Sequence, residues 1–296
     1  MSENCFQKQA NRREFAAISL ASIAALAGCK ITDSHSLGAI DAHCHIWETD
    51  GILGRDKYPF EQLQAASASM GIDRFVVVVL YSDTNKDYVL KVKEQYEDKI
   101  SIVGLLDVES LNLEKQMQSD RELGIRGYRL NSKFIGEDWL KVAGVDRMWE
   151  IAADLDVSMC LLRRENASIA SIKQMLEKYR STTVVIDHLG LVDPLNANEV
   201  SAFLSLAKYE KCNVKVSRFF TDRSRQDGSE EMLKLIEKVH AEFGSERLMW
   251  GSNAPVEVSE SNDYTFAADL IRKATFLKPR DLQNIFRGTA ERVFFG

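Results

Sequence analysis

Short apolar runs alternate with longer amphipathic segments along the chain from about residue 38 onwards. The runs are hydrophobic at nearly every position, which is typical of parallel strands that helices cover on both sides. Between them, apolar residues recur at helical spacing, as in the segments 145–155, 169–179 and 232–243. Eight strand-and-helix units in about 260 residues predict a (β/α)8 barrel. The eight runs span 39–45, 74–80, 101–107, 125–131, 157–163, 183–189, 213–218 and 248–253.

A doubly wound open sheet is the alternative arrangement for alternating strands and helices. Such a sheet usually has fewer strands, and it normally carries a glycine-rich phosphate-binding loop, which this sequence lacks. No linker, low-complexity tract or internal repeat divides residues 38–296. We therefore expect one α/β domain over 38–296 with the TIM-barrel fold.

The first 29 residues have the composition of an export signal. Paired arginines at 12–13 precede an uncharged stretch at 15–28 that is too short to span a bilayer. The arginine pair resembles that of twin-arginine leaders, and residues 26–29 resemble the lipobox of bacterial lipoproteins. We expect residues 1–29 to be a twin-arginine-type lipoprotein signal, with Cys29 lipidated and the mature protein anchored on the periplasmic side of a membrane. An amphipathic N-terminal helix is the alternative.

Composition and charge narrow the class of protein. Of the 296 residues, 45% are hydrophobic and 28% are charged, which allows a large core. The net charge of -6 is spread along the chain, without a basic block that could neutralise a nucleic-acid backbone. Nucleic acid is therefore not an expected partner. Three cysteines show no disulfide or metal-site spacing and are predicted to be buried free thiols: Cys44, Cys160 and Cys212.

Three of the five histidines fall at the C-terminal ends of predicted strands. His43 and His45 are two residues apart at the end of the first run, and His188 follows the sixth. In a (β/α)8 barrel the C-terminal strand ends form the active site, so the three side chains are expected to meet at the barrel mouth. A buried imidazole without a partner is costly, which favours a catalytic or metal-binding role for this set. His35 and His240 are expected to be solvated.

Five stretches, in chain order, carry a resemblance to a known family. This sequence resembles the amidohydrolase-related family 2 branch of the amidohydrolase superfamily, which includes sugar-lactone hydrolases, pyrone-dicarboxylate lactonases and, more distantly, metal-dependent decarboxylases. The resemblance implies a (β/α)8 hydrolase whose site contains His43, His45, His188 and an acidic residue after the eighth strand. The stretches are IDAHCHIW (40–47), VVIDHLG (184–190), NVKVS (213–217), WGSNAPVE (250–257) and IFRGTAERVF (285–294).

The chain departs from that pattern at position 253, where Asn253 stands in place of the family's acid. The acid is the family's usual general base, and an amide has no basic site at neutral pH. Loss of a positioned base typically costs about 100- to 10,000-fold in rate. Asn253 therefore argues against a lactonase that depends on a carboxylate base at this position.

Three accounts of Asn253 remain open. In the first, His43, His45 and His188 hold a divalent metal, Zn²⁺ or Mn²⁺, whose bound water has a pKa near about 7, while Asn253 serves as a weak oxygen ligand or bonds the water. In the second, another loop acid replaces the base. In the third, the barrel has lost catalysis and binds a ligand at the cell surface. A metal-dependent decarboxylase is a further alternative, although it would also be expected to use the missing acid.

The candidate replacement acids are Asp83, Asp193, Glu257 and Asp263, all in loops that follow predicted strands. Most acids in such positions cap helices or are solvated. Asp41 shares strand parity with His43 and His45, so we expect it to point inward and to orient a histidine by a hydrogen bond.

Four basic residues near the strand ends suggest the substrate class. Arginines at strand ends can hold a carboxylate in a bidentate geometry, although pairing with loop acids is the alternative role. These residues favour a small anionic or hydroxylated substrate such as a sugar lactone or a carboxylated lactone. They are Arg129, Arg163, Lys215 and Arg218, of which Lys215 matches a lysine of the family. The oligomeric state is not indicated by the sequence.

Overall fold

The computed structural model describes residues 38–80, 83–135, 139–164, 167–218, 228–258 and 261–296. Side chains at 83–84, 134–135, 228–229 and 261–263 are not described. The predicted lipoprotein signal at 1–29, with Cys29, lies outside the described residues, as does His35.

In the described part of the chain, eight strands form one parallel sheet in which each strand pairs with the next along the sequence. This sequential order is that of a (β/α)8 barrel and confirms the predicted fold, because a doubly wound sheet reverses its strand order at a switch point. The strands are β1 (Ala39–Cys44), β2 (Ile72–Val78), β3 (Ile100–Gly104), β4 (Ile125–Asn131), β5 (Ser158–Leu162), β6 (Val184–Ile186), β7 (Cys212–Val216) and β8 (Leu248–Trp250).

The barrel closes where β1 meets the segment after β8. Cys44 and Ala254 form an isolated parallel bridge. Two backbone hydrogen bonds join the same segments: the Asn253 N–H donates to the His43 carbonyl oxygen over 2.7 Å, and the His45 N–H donates to the Ala254 carbonyl oxygen over 2.7 Å. Both residues of the predicted His-x-His pair therefore take part in barrel closure.

Helices follow most strands and cover the outside of the barrel. Their apolar faces pack on the outward side chains of the strands in one large buried cluster. The helices predicted from the spacing of apolar residues are present at α5, α6 and α8. The helices are α1 (Phe60–Ser67), α2 (Asp83–Gln95), α3 (Leu113–Glu122), α4 (Ser132–Ile135), α5 (Ala143–Asp154), α6 (Ile169–Lys178), α7 (Ala197–Leu204), α8 (Gly228–Phe243), α9 (Ser261–Arg272), α10 (Pro279–Gln283) and α11 (Thr289–Phe294).

The interior of the barrel has its own apolar core, and the C-terminal helix α11 covers one end of it. Phe294 joins this core, and its carbonyl oxygen accepts a hydrogen bond of 2.7 Å from the Ser101 hydroxyl near the start of β3. Since α11 covers the N-terminal ends of the strands, a site can open only at their C-terminal ends. The inner core comprises Ile40, Ala42, Val76, Val78, Val103, Cys160, Val185, Met249, Ala290 and Phe294.

Three strands end three residues before their predicted runs do: β3 at Gly104, β6 at Ile186 and β8 at Trp250. His188 and Asn253 consequently lie in turns beyond β6 and β8. Both have φ of 56°, in the left-handed region that non-glycine residues seldom adopt. The residues of these two turns are buried, although several of them are polar.

Two further findings concern the cysteines and the helices. Cys44, Cys160 and Cys212 are buried free thiols, as predicted. Within the ranges described above, no helix combines the length and the apolar character needed to cross a membrane.

Candidate active site

The three predicted histidines come together at the C-terminal end of the barrel. The ring of His43 lies 4.4 Å from that of His188 and 5.1 Å from that of His45, measured between centroids. All three side chains are buried. The fold thus brings His43 and His188, which lie on the first and sixth strand-and-helix units, into direct contact. This is the contact expected at the mouth of a barrel, where the C-terminal ends of all strands meet.

β1 delivers His43 and His45 to the site through an irregular register. Its pairing with β2 shifts between Asp41 and Cys44, which breaks the simple alternation of side chains. Asp41 therefore does not share a face with the two histidines. Its carboxylate contacts Ser252 and Tyr264, and Tyr264 belongs to the covering helix α9. The expectation that Asp41 points into the barrel is wrong, and the hydrogen bond that it makes with a histidine is to the backbone N–H of His43 and not to a ring.

Asp41 instead fixes the backbone beneath the site. It accepts hydrogen bonds from the backbone N–H of His43 (3.1 Å), the N–H of Ser252 (2.9 Å), the hydroxyl of Ser252 (2.5 Å) and the hydroxyl of Tyr264 (3.1 Å). Burial raises the pKa of this carboxyl to about 6, although the hydrogen bonds from Ser252, His43 and Tyr264 act in the opposite direction. Asp41 thereby links β1, the loop after β8 and α9.

Asp187 is a central residue of the site that the sequence analysis did not select. Its Oδ1 lies 3.4 Å from Nδ1 of His43 and 3.2 Å from Nζ of Lys215, while its Oδ2 lies 3.3 Å from Nε of Arg129. Burial alone would raise the pKa of this carboxyl, but the nearby charges of Lys215 and Arg129 and the His43 ring hold it well below its ordinary value. Asp187 is therefore a buried carboxylate between two buried cations.

The turn after β6 explains why both Asp187 and His188 reach the site. Adjacent residues on a regular strand point to opposite faces, so an inward His188 would leave Asp187 facing outward. The chain leaves the strand at Ile186, and the positive φ angles of His188 and Leu189 rotate the backbone. The sequence shows Asp187 directly before His188, but it does not show that the strand ends at Ile186 and that a left-handed turn follows.

The histidines are neutral at physiological pH. Burial lowers the pKa of His45 to about 3 and lowers the pKa of His43 and of His188 well below the ordinary value. Nδ1 of His45 lies 2.7 Å from the carbonyl oxygen of Val78. Since a carbonyl only accepts, this Nδ1 carries the proton, and Nε2 of His45 keeps a lone pair.

The other two rings are held differently. Nδ1 of His188 lies 2.8 Å from the hydroxyl oxygen of Ser217. Nδ1 of His43 lies 3.4 Å from Nζ of Lys215, and its Nε2 is buried without a hydrogen-bond partner among the described residues. An unsatisfied buried nitrogen in the site is a position at which a ligand or water can bond.

Asn253, the residue that the family resemblance predicts to be an acid, follows β8 and is joined by its backbone to β1. It is buried, and its N–H bonds the His43 carbonyl oxygen. Asparagine is one of the few residues that adopt the left-handed conformation at low cost, which suits its φ of 56°. Gly251 supports this approach, because a Cβ there would stand 2.6 Å from Cβ of His43. An amide side chain at this position cannot accept a proton.

The four predicted basic residues have different surroundings. Arg129 and Lys215 are buried and paired with Asp187. The guanidinium of Arg163 donates to the carbonyl oxygens of Gly190 (2.7 Å), Ala167 (3.1 Å) and Leu191 (3.1 Å), and it also pairs with Glu199. Arg163 thus holds the turn after β6 in place. Its pairing with Glu199 is the alternative role given above, in which an arginine at a strand end binds a loop acid and not the substrate. Arg218 is partly exposed, and its charge contributes to the lowered pKa of His188.

The candidate replacement acids are less well placed. Asp193 is exposed, and its Oδ1 accepts a 3.0 Å hydrogen bond from the Leu195 N–H, as in a local turn. Glu257 is buried, and its N–H donates to the Asn253 carbonyl oxygen over 3.1 Å. The side chains of Asp83 and Asp263 lie outside the described ones. Glu257 is therefore the candidate acid with a structural link to Asn253.

The side chains around the three histidines do not fit a metal ion as they are arranged. Among the described residues, no group of three His, Cys, Asp or Glu side chains is arranged to hold a metal ion. The Lys215 ammonium lies 3.4 Å from Nδ1 of His43, and Asp187 is already shared between two cations. A dication at this place would be repelled by both Lys215 and Arg129. We therefore derive no catalytic step through a metal.

Comparison with known proteins adds a family and a set of relatives. The amidohydrolase family matches residues 40–296. L-fucono-1,5-lactonase of Burkholderia ambifaria is 26% identical over 239 residues, which are 73% of this chain and 80% of that protein. A zinc-bound amidohydrolase from Burkholderia multivorans has 20% identity and a TM-score of 0.75, covering 87% of this chain and 99% of that one. A Pseudomonas putida protein assigned as a 2-pyrone-4,6-dicarboxylic acid hydrolase has 21% identity and a TM-score of 0.73, covering 88% and 98%.

Proposed function

Since this chain belongs to the amidohydrolase family, we propose that it hydrolyses a small sugar lactone or carboxylated lactone at the mouth of its barrel. The observation that carries the proposal is the contact of uncharged imidazoles with a buried cationic group formed by Lys215, Arg129 and Asp187. Such a site combines acceptors for a water molecule with positive charge for a developing oxyanion. The similarity to L-fucono-1,5-lactonase supports an ester of the cyclic sugar type.

The chemistry requires a water oxygen to attack the lactone carbonyl and the ring C–O bond to break. The water gives up one proton, the ring oxygen gains one, and the new carboxylic acid ionises. Nε2 of His45 is a lone-pair acceptor for the water, because Nδ1 of the same ring is bonded to the Val78 carbonyl. The tetrahedral intermediate is an anion, and the positive charge of Lys215 and Arg129 stabilises it across the buried site.

Asn253 has a positioning role in this scheme. Its carboxamide can donate to the substrate carbonyl or accept from the attacking water, but it cannot remove a proton. Turnover is therefore expected to be slower than with a carboxylate at 253, by about 100-fold or more. A metal held by His43, His45 and His188 stays a prediction, and it would supply a water of lower pKa. Metal analysis of the purified protein tests it independently of activity.

A ligand-binding protein without catalysis is the second candidate, and Asn253 is the observation that favours it. The same pocket would then hold the lactone or its open acid without converting it. This alternative makes the protein a binder derived from a lactonase. The decarboxylase alternative has no separate support among the described residues.

The decisive experiment is proton release from a panel of sugar and dicarboxylate lactones. Wild type is assayed beside Asn253→Asp, with and without added Zn²⁺ or Mn²⁺. Wild-type turnover supports the hydrolase, and dependence of that turnover on metal supports the metal account. Silence of the wild type on every lactone, with turnover by Asn253→Asp, supports the binder. Proton consumption with CO₂ release would support a decarboxylase, which needs carboxylated substrates in the panel.

Localisation is a separate proposal that rests on the sequence of residues 1–29. We propose that Cys29 is lipidated and that the mature protein is anchored on the periplasmic side of a membrane. Cell fractionation of the full chain beside Cys29→Ser tests this. The variant is expected to leave the membrane fraction, and retention of both proteins in it would contradict a lipid anchor at this residue.

A further inference from the structure

The buried group at the centre of the site has an unequal number of charges. Lys215 and Arg129 contribute two positive charges, and Asp187 contributes one negative charge between them. Within the described residues, Asp187 is the sole acid within ion-pair distance of either cation. The group therefore has one positive charge in excess.

This excess charge is buried, and Asp41, the buried acid two residues before His43, bonds Ser252, Tyr264 and the His43 N–H rather than either cation. Lys215 and Asp187 are wholly inaccessible to solvent, and Arg129 is nearly so. Nζ of Lys215 lies 5.4 Å from the centre of the Phe294 ring, which favours a cation but does not neutralise it. Arg218, at the same end of the barrel, adds a further positive charge without an ion-pair partner in the described chain. A buried charge without a counter-charge is costly, so a bound anion would stabilise this site.

Asn253 bonds the backbone of His43, and the ring of His43 touches both Lys215 and Asp187. Its uncharged carboxamide adds no negative charge at this end of the barrel. A carboxylate at position 253 would add one negative charge there. Glu257, the buried acid of the same loop, makes no ion pair within 4 Å with Lys215 or Arg129. The amide therefore leaves the positive excess in place.

We propose that this site binds a carboxylate anion in preference to an uncharged ligand, with the carboxylate of the ligand supplying the negative charge that Asn253 lacks. For a lactone hydrolase this means that the ring-opened hydroxy acid binds more tightly than the lactone from which it forms. This part of the inference rests on the proposed function. The preference for an anion is a property of the charges and can be measured without turnover.

The test is calorimetric titration with sodium gluconate and sodium galactonate, and with the uncharged lactams of the same sugars, which are not hydrolysed. Ionic strength is held constant with KCl. Three proteins are compared: wild type, Asn253→Asp and Asn253→Gly. Aspartate and glycine both tolerate the left-handed backbone at this position, so the two variants differ mainly in charge.

The expected result is that wild type binds an aldonate at least tenfold more tightly than the matching lactam. Asn253→Gly keeps that preference, while Asn253→Asp loses at least tenfold in aldonate affinity and little in lactam affinity. Equal affinities in the wild type, or aldonate binding that strengthens in Asn253→Asp, would overturn the proposal. Circular dichroism and thermal unfolding confirm that each variant is folded.

Failure of this inference is distinguishable from failure of the proposed function. Lactone turnover without aldonate preference overturns the anion site and leaves the hydrolase standing. Aldonate preference without turnover of any lactone supports the anion site in a binding protein. Absence of both turnover and binding overturns both proposals.

Discussion

Asn253 donates its backbone N–H to the carbonyl oxygen of His43 over 2.7 Å, so one hydrogen bond both closes the barrel and sets the candidate site. The bond joins the loop after β8 to β1, next to the shift in strand register that turns His43 inward. It also holds the backbone of Asn253 next to that of His43. The same contact thus bears on the stability of the barrel and on its chemistry.

Asp187 is expected to contribute strongly to stability. In Asp187→Asn the cations Lys215 and Arg129 stay buried without a counter-charge, and we expect a loss of about 3–5 kcal/mol in the free energy of unfolding. Urea denaturation measures it. The matched control is Glu230→Gln, which removes the acid of the exposed Lys234 pair and is expected to leave stability nearly unchanged. Equal stability of the two variants would contradict the role of Asp187 as the counter-charge of two buried cations.

Ser217 is expected to orient the His188 ring. In Ser217→Ala the 2.8 Å contact with Nδ1 of His188 is lost, and we expect kcat on a turned-over lactone to fall roughly 3- to 10-fold with KM little changed. Ser217→Thr keeps a hydroxyl, so its kcat is expected to lie between those of Ser217→Ala and wild type. Histidine ¹⁵N chemical shifts report the His188 tautomer whether or not there is turnover.

The control for this prediction is Ser205→Ala. Ser205 is exposed, and its hydroxyl donates to the Ala202 carbonyl oxygen over 2.7 Å at the end of a helix. That variant should leave both kcat and the His188 shifts unchanged. Identical shifts in wild type and Ser217→Ala would show that Ser217 does not set the tautomer.

Gly251 is expected to be required for the position of His43. In Gly251→Ala the new methyl group would meet the His43 Cβ at 2.6 Å and its backbone nitrogen at 2.9 Å, and backbone cannot move aside as a flexible side chain can. We expect a loss of about 1–3 kcal/mol in the free energy of unfolding. In the control Gly288→Ala the new methyl group meets the end of the Asn284 side chain at 3.2 Å and the Gln283 carbonyl oxygen at an ordinary 3.8 Å, and the φ of Gly288 is helical. It should be neutral or stabilising.

Asp41 is expected to make stability fall as the pH rises. Its pKa is about 6 in the folded protein, against an ordinary value of 3.8, so the folded state holds its proton more tightly than the unfolded chain does. Below about pH 4 both states are protonated, and the full contribution is present. Between about pH 4 and pH 6 the unfolded chain ionises first, which stabilises it. The contribution lost over this window is about 3 kcal/mol.

Urea unfolding of wild type and Asp41→Asn between pH 4 and pH 7 isolates this effect, because the other titrating groups are common to both proteins. The stability of the wild type relative to the variant should decline over the window. A difference that is constant or grows with pH would contradict the raised pKa.

The sequence by itself determined the barrel. Runs such as 75–80 and 159–162 are hydrophobic throughout because helices cover one face and the inner core covers the other, and that burial is a local property of composition. The ends of the strands were less well determined. Buried turns follow Ile186 and Trp250, and burial alone does not distinguish a turn residue from a strand residue.

The histidines of the site could also be predicted, since a parallel barrel brings all C-terminal strand ends to one mouth. The positions of the two buried acids near them could not. Asp187 enters the site through the left-handed turn at His188, and Asp41 leaves it through the register shift in β1. Both positions depend on backbone angles that neighbouring strands and loops impose. Strict alternation placed Asp41 inside the barrel and gave no signal for Asp187.

The sequence places an amide at position 253, where the family resemblance predicts an acid, and only the tertiary structure decided which charges come together at the same end of the barrel. Lys215, Arg129 and Asp187 come from β7, β4 and the turn after β6, and their ion pairs form because the closed barrel presses them together away from water. Charge balance in a buried site is a sum over residues that are distant in the chain. The physical reason is that Coulomb energy depends on distance in space and on burial, neither of which a linear sequence contains.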